Sequence, residues 1–131
     1  MIRLTYALRR RSELSREEFQ RYWREEHAPL VRDHAETLRI QRYVQAHTAT
    51  TPLDDALRDS RGATVEPFDG VAELWWESVD DLAQAMSTPE GALAARELLE
   101  DEAKFIDLEH SPLWIAREEV VLGDRSAREV A

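Results

Sequence analysis

Two adjoining runs decide the fold: Ile2-Arg3-Leu4-Thr5-Tyr6-Ala7-Leu8, and Ser15-Arg16-Glu17-Glu18-Phe19-Gln20-Arg21-Tyr22-Trp23-Arg24-Glu25-Glu26-His27-Ala28-Pro29-Leu30. In the first, Ile2, Leu4, Tyr6 and Leu8 alternate with Arg3, Thr5 and Ala7, the period of two of a half-buried strand. In the second, Ser15 and Glu18 have the spacing of a capping box, and Phe19, Tyr22, Trp23, His27 and Leu30 then recur at helical spacing. A helix is therefore predicted from near Arg16. Pro29 disfavours helical geometry at Ala28, so a break, kink or restart is expected there before the helix runs on towards Thr37.

Working outward, Leu38–His47 alternates again, with Leu38, Ile40, Val44 and Ala46 on one face and Gln41, Tyr43, Gln45 and His47 on the other. Residues 48–68 have weak periodicity, two prolines and a glycine, and read as a long connection holding one short helix over Leu53–Arg58. Asp69–Glu77 reads as a third strand, in which Ala72, Leu74 and Trp76 oppose Val71, Glu73 and Trp75. Ser78 with Asp81, then Thr88-Pro89, start two helical stretches, and Leu113–Leu122 reads as a fourth strand. Residues 1–122 make one domain on this reading, and 123–131 a frayed tail. The order β-α-β, loop, β-α-β fits an α+β, ferredoxin-like β-α-β-β-α-β arrangement with helices on one face of a four-stranded antiparallel sheet. The other face, expected to show Tyr43, Val71 and Trp75, needs a cover, and a second copy in a homodimer supplies one.

Composition narrows the function classes. A chain of 131 residues with 43% hydrophobic residues suffices for one core but not two. The absence of cysteine excludes disulfide scaffolds, thiolate metal sites and cysteine nucleophiles. A net charge of −10 argues against nucleic acid as a partner. The first residues resemble neither a signal peptide nor a membrane span, so no membrane partner and a cytoplasmic location are expected. No Gly-rich phosphate loop, nucleophile elbow or zincin motif is present, which leaves nucleotide cofactors, serine hydrolysis and zinc proteolysis unsupported.

Some residue types do point to chemistry. His27 falls at the break made by Pro29, where its imidazole either projects into a cleft as an acid/base or caps the helix end. Tyr43, Gln45 and His47 share one strand face, spaced roughly 7 Å apart, as a row able to bind a polarised oxygen or to form a dimer surface. Glu73 and Trp75 are expected to neighbour this row. A carboxylate beside an indole has its pKa raised by desolvation, while a pair with Arg42 or Arg117 is the structural alternative. Asp101, Glu102, Asp107 and His110 match no metal spacing and read as an acidic helix face; no metal is expected. His34 reads as exposed.

Phe19 with Tyr22-Trp23-Arg24-Glu25-Glu26-His27-Ala28-Pro29-Leu30-Val31, Arg42-Tyr43-Val44-Gln45-Ala46-His47 and Asp69-Gly70-Val71-Ala72-Glu73-Leu74-Trp75 together resemble the EthD-domain family, with Asp101-Glu102, Phe105-Ile106-Asp107 and Glu118-Glu119-Val120-Val121 resembling its closing segments. The resemblance spans about residues 2–122. It implies a dimeric α/β barrel with a cleft between sheet and helices in each subunit. It also implies proton-transfer chemistry without a cofactor on a small oxygenated, often aromatic or polyketide-like molecule, as in a lyase or isomerase of dehydratase or cyclase type. On that implication His27 is the acid/base, Tyr43 and His47 orient or protonate the substrate oxygen, and Trp23, Gln45, Glu73 and Trp75 contact substrate. A non-catalytic dimeric binding or accessory protein is the alternative, and a haem-binding or aromatic-oxidising monooxygenase a third. The chain departs from the family pattern at Ala46, where relatives often carry Asn.

Overall fold

A computed structural model describes residues 1–123. The expected tail thus lies, apart from Gly123, outside the described residues. Strand β1 (Ile2–Leu8) leads through the Ser15/Glu18 capping box into α1 (Arg16–Tyr22), a π-helical turn (Trp23–His27) and α2 (Ala28–Leu38). Next come β2 (Arg42–His47), α3 (Pro52–Arg61), β3 (Gly70–Trp76), α4 (Val79–Ser87), α5 (Pro89–Glu102), a 3₁₀ turn (Leu108–His110) and β4 (Leu113–Arg117). The sheet order is β2-β3-β1-β4, and every neighbouring pair is antiparallel. This is the ferredoxin-like α+β arrangement, with α3 inserted in the β2–β3 connection.

Four boundaries differ from the sequence expectation, each for a local reason. Leu38 closes α2 instead of opening β2, because Arg39 adopts a left-handed conformation (φ 60°) and Ile40 N–H returns to the Ala35 carbonyl. Leu38 and Ile40 are apolar two apart, which satisfies a strand pattern, yet both pack in the helical layer. Helix α3 is longer than the predicted Leu53–Arg58, because Thr51 and Asp54 form a second capping box and Gly62 ends the helix at φ 64°. β3 begins at Gly70, after Asp69 has turned inward to bind Arg10 and Arg16. β4 stops at Arg117, so residues 118–122 are not strand.

Strand alternation divides the sheet into two faces. Leu4, Tyr6, Leu8, Tyr43, Ala72, Leu74 and Trp76 look toward the helices, where Trp76 Nε1 donates to the Leu38 carbonyl at 2.7 Å. Phe19, Trp23, Phe105, Leu8 and Ile106 form the main core on this side, and Val31, Leu38, Ala94 and Leu98 a second cluster beside it. The opposite face carries Arg3, Thr5, Ala7, Val71, Glu73 and Trp75. Tyr43 was expected there and is not: the register pairs Tyr43 with Leu74, which turns its ring toward the helices. On the outer face Arg3 pairs with Glu73 at 3.0 Å and Glu118 at 3.5 Å, and Trp75 Nε1 donates to Glu118, so Trp75 is buried within one chain. Leu113, Trp114 and Ile115 of the edge strand β4 remain about half exposed, at 55%, 49% and 49%. Among the described residues no helix is long and apolar enough to cross a membrane.

Candidate active site

The π-helical turn is the local device that builds the site. Pro29 has no N–H to give the Glu25 carbonyl, and the Ala28 N–H reaches back five residues to the Trp23 carbonyl. The widened turn keeps the helix running and drives both Trp23 (1% exposed) and His27 (5% exposed) inward. His27 is therefore not a cap, since the helix continues past it. Its ring lies 5.1 Å from that of Phe105, and Nδ1 stands 2.7 Å from Asp101 Oδ2 near the end of α5. The Tyr22 hydroxyl donates to Asp101 Oδ1 at 2.6 Å.

These contacts decide protonation. Burial alone pushes the Asp101 carboxyl up, but the hydrogen bonds from Tyr22 and His27 outweigh it and hold Asp101 below the usual carboxylate range. Burial pushes His27 below the usual histidine value, against the opposing pull of Asp101. At neutral pH the ring is uncharged and Asp101 ionised, so Nδ1 must be the donor and Nε2 carries the lone pair. Nε2 makes no hydrogen bond among the described residues, and His27 lines a cavity.

That cavity, of about 370 Å³, lies between the helix-facing side of the sheet and helices α2, α4 and α5. Its walls are chiefly Leu4, Leu8, Val31, Leu74, Leu98 and the indoles of Trp23 and Trp76. Met86 and Leu113 line it while about half exposed, so it opens to solvent between α4 and the edge strand. Among the described residues, the titratable groups in the lining are His27, Tyr6, Tyr43 and Glu102, with neither Arg nor Lys. Burial raises both phenols above the ordinary tyrosine range. Burial also raises Glu102 to about 7, with the charge of Asp101 adding to the effect and a hydrogen bond with Tyr6 opposing it.

Of the residues singled out from sequence, His27, Tyr43 and Trp23 thus meet at one cavity. Gln45 and His47 share the strand face of Tyr43 but do not line the cavity. The Gln45 side-chain amide donates to the Tyr43 hydroxyl (2.8 Å) and the Trp23 carbonyl (2.9 Å), and its oxygen lies 2.8 Å from His47 Nε2. His47 packs on the Trp23 ring at 4.5 Å. Both act behind the cavity wall, holding Tyr43 and Trp23 in place. Gly70 completes that support: a Cβ there would lie 2.4 Å from the Trp23 indole.

Glu73 and Trp75 do not neighbour the Tyr43 row as expected, because they lie on the opposite side of the sheet from Tyr43. Their β2 partners are Val44 and Arg42, and the neighbours of the Tyr43 row are Ala72 and Leu74. The partner of Glu73 is Arg3, in place of the expected Arg42 or Arg117, while Arg42 stacks over Trp75 at 5.2 Å. His34 is half-buried, 2.7 Å from Glu97.

Sequence reasoning missed Asp101 and Glu102, which it assigned to a solvated acidic face. A signal was present: Ala94, Leu98, Asp101 and Phe105 recur at intervals of four, three and four, one stripe of a helix, and all four are buried. Asp107 and His110 do form an exposed pair, at 2.9 Å. Among the described residues no group of three His, Cys, Asp or Glu side chains is placed to share a metal ion.

Comparison with known proteins now adds the lineage. Residues 11–109 match the EthD domain. An ethyl tert-butyl ether D (EthD) family protein from Bacillus halodurans superposes with a TM-score of 0.60 at 22% identity, covering 91% of this chain and 99% of that one. An EthD-like protein from Ralstonia eutropha superposes at 0.56 with 16% identity, over 95% and 96% of the two chains. A dimeric protein of unknown function and ferredoxin-like fold from Bacteroides fragilis gives 0.56 at 9% identity, over 89% and 95%. At these identities the structural likeness speaks for the fold.

Proposed function

The chain belongs to the EthD-domain family, and from that premise we propose that it is an acid/base enzyme of lyase or isomerase type, a dehydratase or cyclase, acting on a small oxygenated aromatic or polyketide-like molecule. The observation that carries this reading is the Asp101–His27 pair at the wall of an apolar cavity. Asp101 fixes the tautomer, desolvation keeps the ring neutral, and Nε2 is left as a base facing the bound molecule. Loss of a proton from carbon beside a carbonyl is the step such a base performs. Elimination of a β-hydroxyl as water, or attack of the resulting enol on a second carbonyl, then gives dehydration or ring closure.

The test is a panel of neutral bicyclic aryl ketones and β-hydroxyketones incubated with the protein in D₂O and followed by NMR. At least one is expected to gain deuterium at the α-carbon, or to lose water, faster than in buffer. A panel left untouched by the protein sinks the reading. The predominantly apolar lining favours a second reading, a non-catalytic binding module, for which ligands shift the protein spectrum without being converted.

The proposal includes a homodimer joined through the outer sheet face and strand β4. Its support is half-exposed Trp114 on the outer face and half-exposed Leu113 and Ile115 on the other side of the same edge strand, together with the dimeric state of the Bacteroides fragilis protein. Light scattering is expected to give twice the 15.2 kDa chain mass, and a monomer at micromolar concentration refutes it.

A further inference from the structure

The acidic pair at the end of α5 divides between two tasks. Successive helical residues point about 100° apart. Asp101 accordingly turns toward the π-helical turn, where Tyr22 and His27 take both of its oxygens, and Glu102 turns toward β1, where it meets Tyr6. Glu102 sits in the cavity lining among apolar side chains, and no Arg or Lys pairs with it among the described residues. It is also the last residue of α5, where the partial negative charge of the helix end opposes a carboxylate. Its own carbonyl is occupied by the N–H groups of Phe105 and Ile106. Burial, the neighbouring Asp101 charge and the helix end outweigh the Tyr6 hydrogen bond and favour the protonated carboxyl, and the mechanism through His27 does not use it.

We infer that Glu102 is a second proton-bearing group of the cavity, which donates to the carbonyl oxygen of a neutral, planar, hydrophobic ketone while His27 faces the adjoining carbon. The inference rests on the acid/base reading of the same cavity and deepens it by naming the ligand's chemistry. Among the described residues the lining has no cation to meet a carboxylate or phosphate, and it has two indoles and several leucines to meet a flat apolar skeleton. What it offers an oxygen is one carboxyl proton and two phenols.

The proton inventory closes. The C–H bond beside the carbonyl breaks with its proton going to His27 Nε2. Its electron pair becomes the new C=C bond, and the former carbonyl oxygen takes the Glu102 proton. The products are a neutral enol, a His27 imidazolium and a Glu102 carboxylate, with net charge unchanged, and reversal or transfer to a different carbon restores both groups.

The groups facing Glu102 make it separable by pH. Tyr6 from β1 and Tyr43 from β2 stay protonated because burial raises both. His27 on the π-helical turn is lowered by burial and is neutral above its ordinary range, and Asp101 beside Glu102 stays ionised. The lining residues of β3, α4 and β4 are uncharged. Among the described lining residues, Glu102, raised by burial to about 7, is left as the one that changes charge near neutrality.

The probe is 1-tetralone, whose carbonyl accepts hydrogen bonds and has no proton to donate, with tetralin as the same skeleton lacking the oxygen. Binding is followed by quenching of tryptophan fluorescence in the wild-type protein between about pH 6 and about pH 8.5. Tetralone affinity is expected to fall ~10-fold or more over that range as Glu102 loses its proton, and tetralin affinity to change less than about twofold. Glu102→Gln, a permanent donor, is expected to bind tetralone about equally at both ends. A wild-type affinity for tetralone that is flat with pH overturns the inference, as does the same pH dependence in Glu102→Gln or with tetralin, or no binding of tetralone at all. The wild-type comparison stands even where a variant fails to fold. Because equilibrium binding is read without conversion, pH-dependent binding without turnover would refute the acid/base enzyme and leave Glu102 as a ligand donor.

Discussion

Replacing His27 by Ala is expected to lower turnover of any substrate found in the panel by about 10³-fold, roughly 4 kcal/mol of activation free energy, with far-ultraviolet circular dichroism unchanged. The size follows from what is lost. On the proposed mechanism Nε2 is the neutral base in the cavity wall, and among the described lining residues Glu102 is the other group that titrates near neutrality, a carboxyl turned toward β1. Asp101→Asn is the sharper companion. An amide in place of the carboxylate can donate to Nδ1, which then moves the ring proton to Nε2 and removes the base without removing the ring.

Asp101 also raises the His27 value through its hydrogen bond and its charge, against the larger lowering by burial. Its removal therefore depresses His27 further. The activity that remains in Asp101→Asn should accordingly lose its acid limb at lower pH than the wild type, a displacement that a merely structural carboxylate does not produce. Full activity in His27→Ala defeats the assignment. Full activity in Asp101→Asn leaves His27 a base whose tautomer Asp101 does not set.

Gly91→Ala is expected to be the most damaging small substitution in the chain, costing ~3 kcal/mol or more by chemical denaturation. Gly91 lies in the first turn of α5, where its N–H donates to Thr88 Oγ1 at 2.9 Å. A Cβ built on it would stand 1.7 Å from the Ala85 carbonyl oxygen and 2.8 Å from its carbon. Both atoms are backbone, so no rotamer change relieves the contact and α4 must move away from α5. Those helices carry Leu82, Met86 and Leu98 into the cavity, so loss of ligand binding should accompany loss of stability. Gly62 is the control. It has φ +64° and nothing within 4 Å, and Gly62→Ala should cost only the ~1 kcal/mol of a left-handed backbone. Equal stability of the two variants refutes the close α4–α5 approach.

Much of this architecture was legible in local pattern. The alternation of residues 2–8, the Ser15/Glu18 box, the α-helical irregularity next to Pro29 and the opposed tryptophans of β3 all hold in the structure. They hold because each depends on backbone geometry within a few residues. The boundary at Leu38 misled because an apolar pair two apart satisfies both a strand and a helix end, and the left-handed turn at Arg39 carries no glycine to announce it.

The site was half legible for a related reason. His27, Trp23 and Tyr43 are aromatic or titratable residues in ordered elements, and the sequence by itself determined that they exist at those positions and on which side of their own strand or helix they lie. The relation between elements was decided only by the tertiary structure. The antiparallel register of β2 against β3 set Tyr43 beside Leu74 and sent Glu73 and Trp75 to the far face, since one residue of slip inverts every side chain of a strand. The packing of α5 against the π-helical turn converted two residues of an apparently solvated acidic run into a buried partner for His27 and a carboxyl in the cavity. Charge alone predicts exposure for Asp101 and Glu102, and the hydrogen bonds that make burial tolerable come from Tyr22, His27 and Tyr6, residues at least 74 positions away.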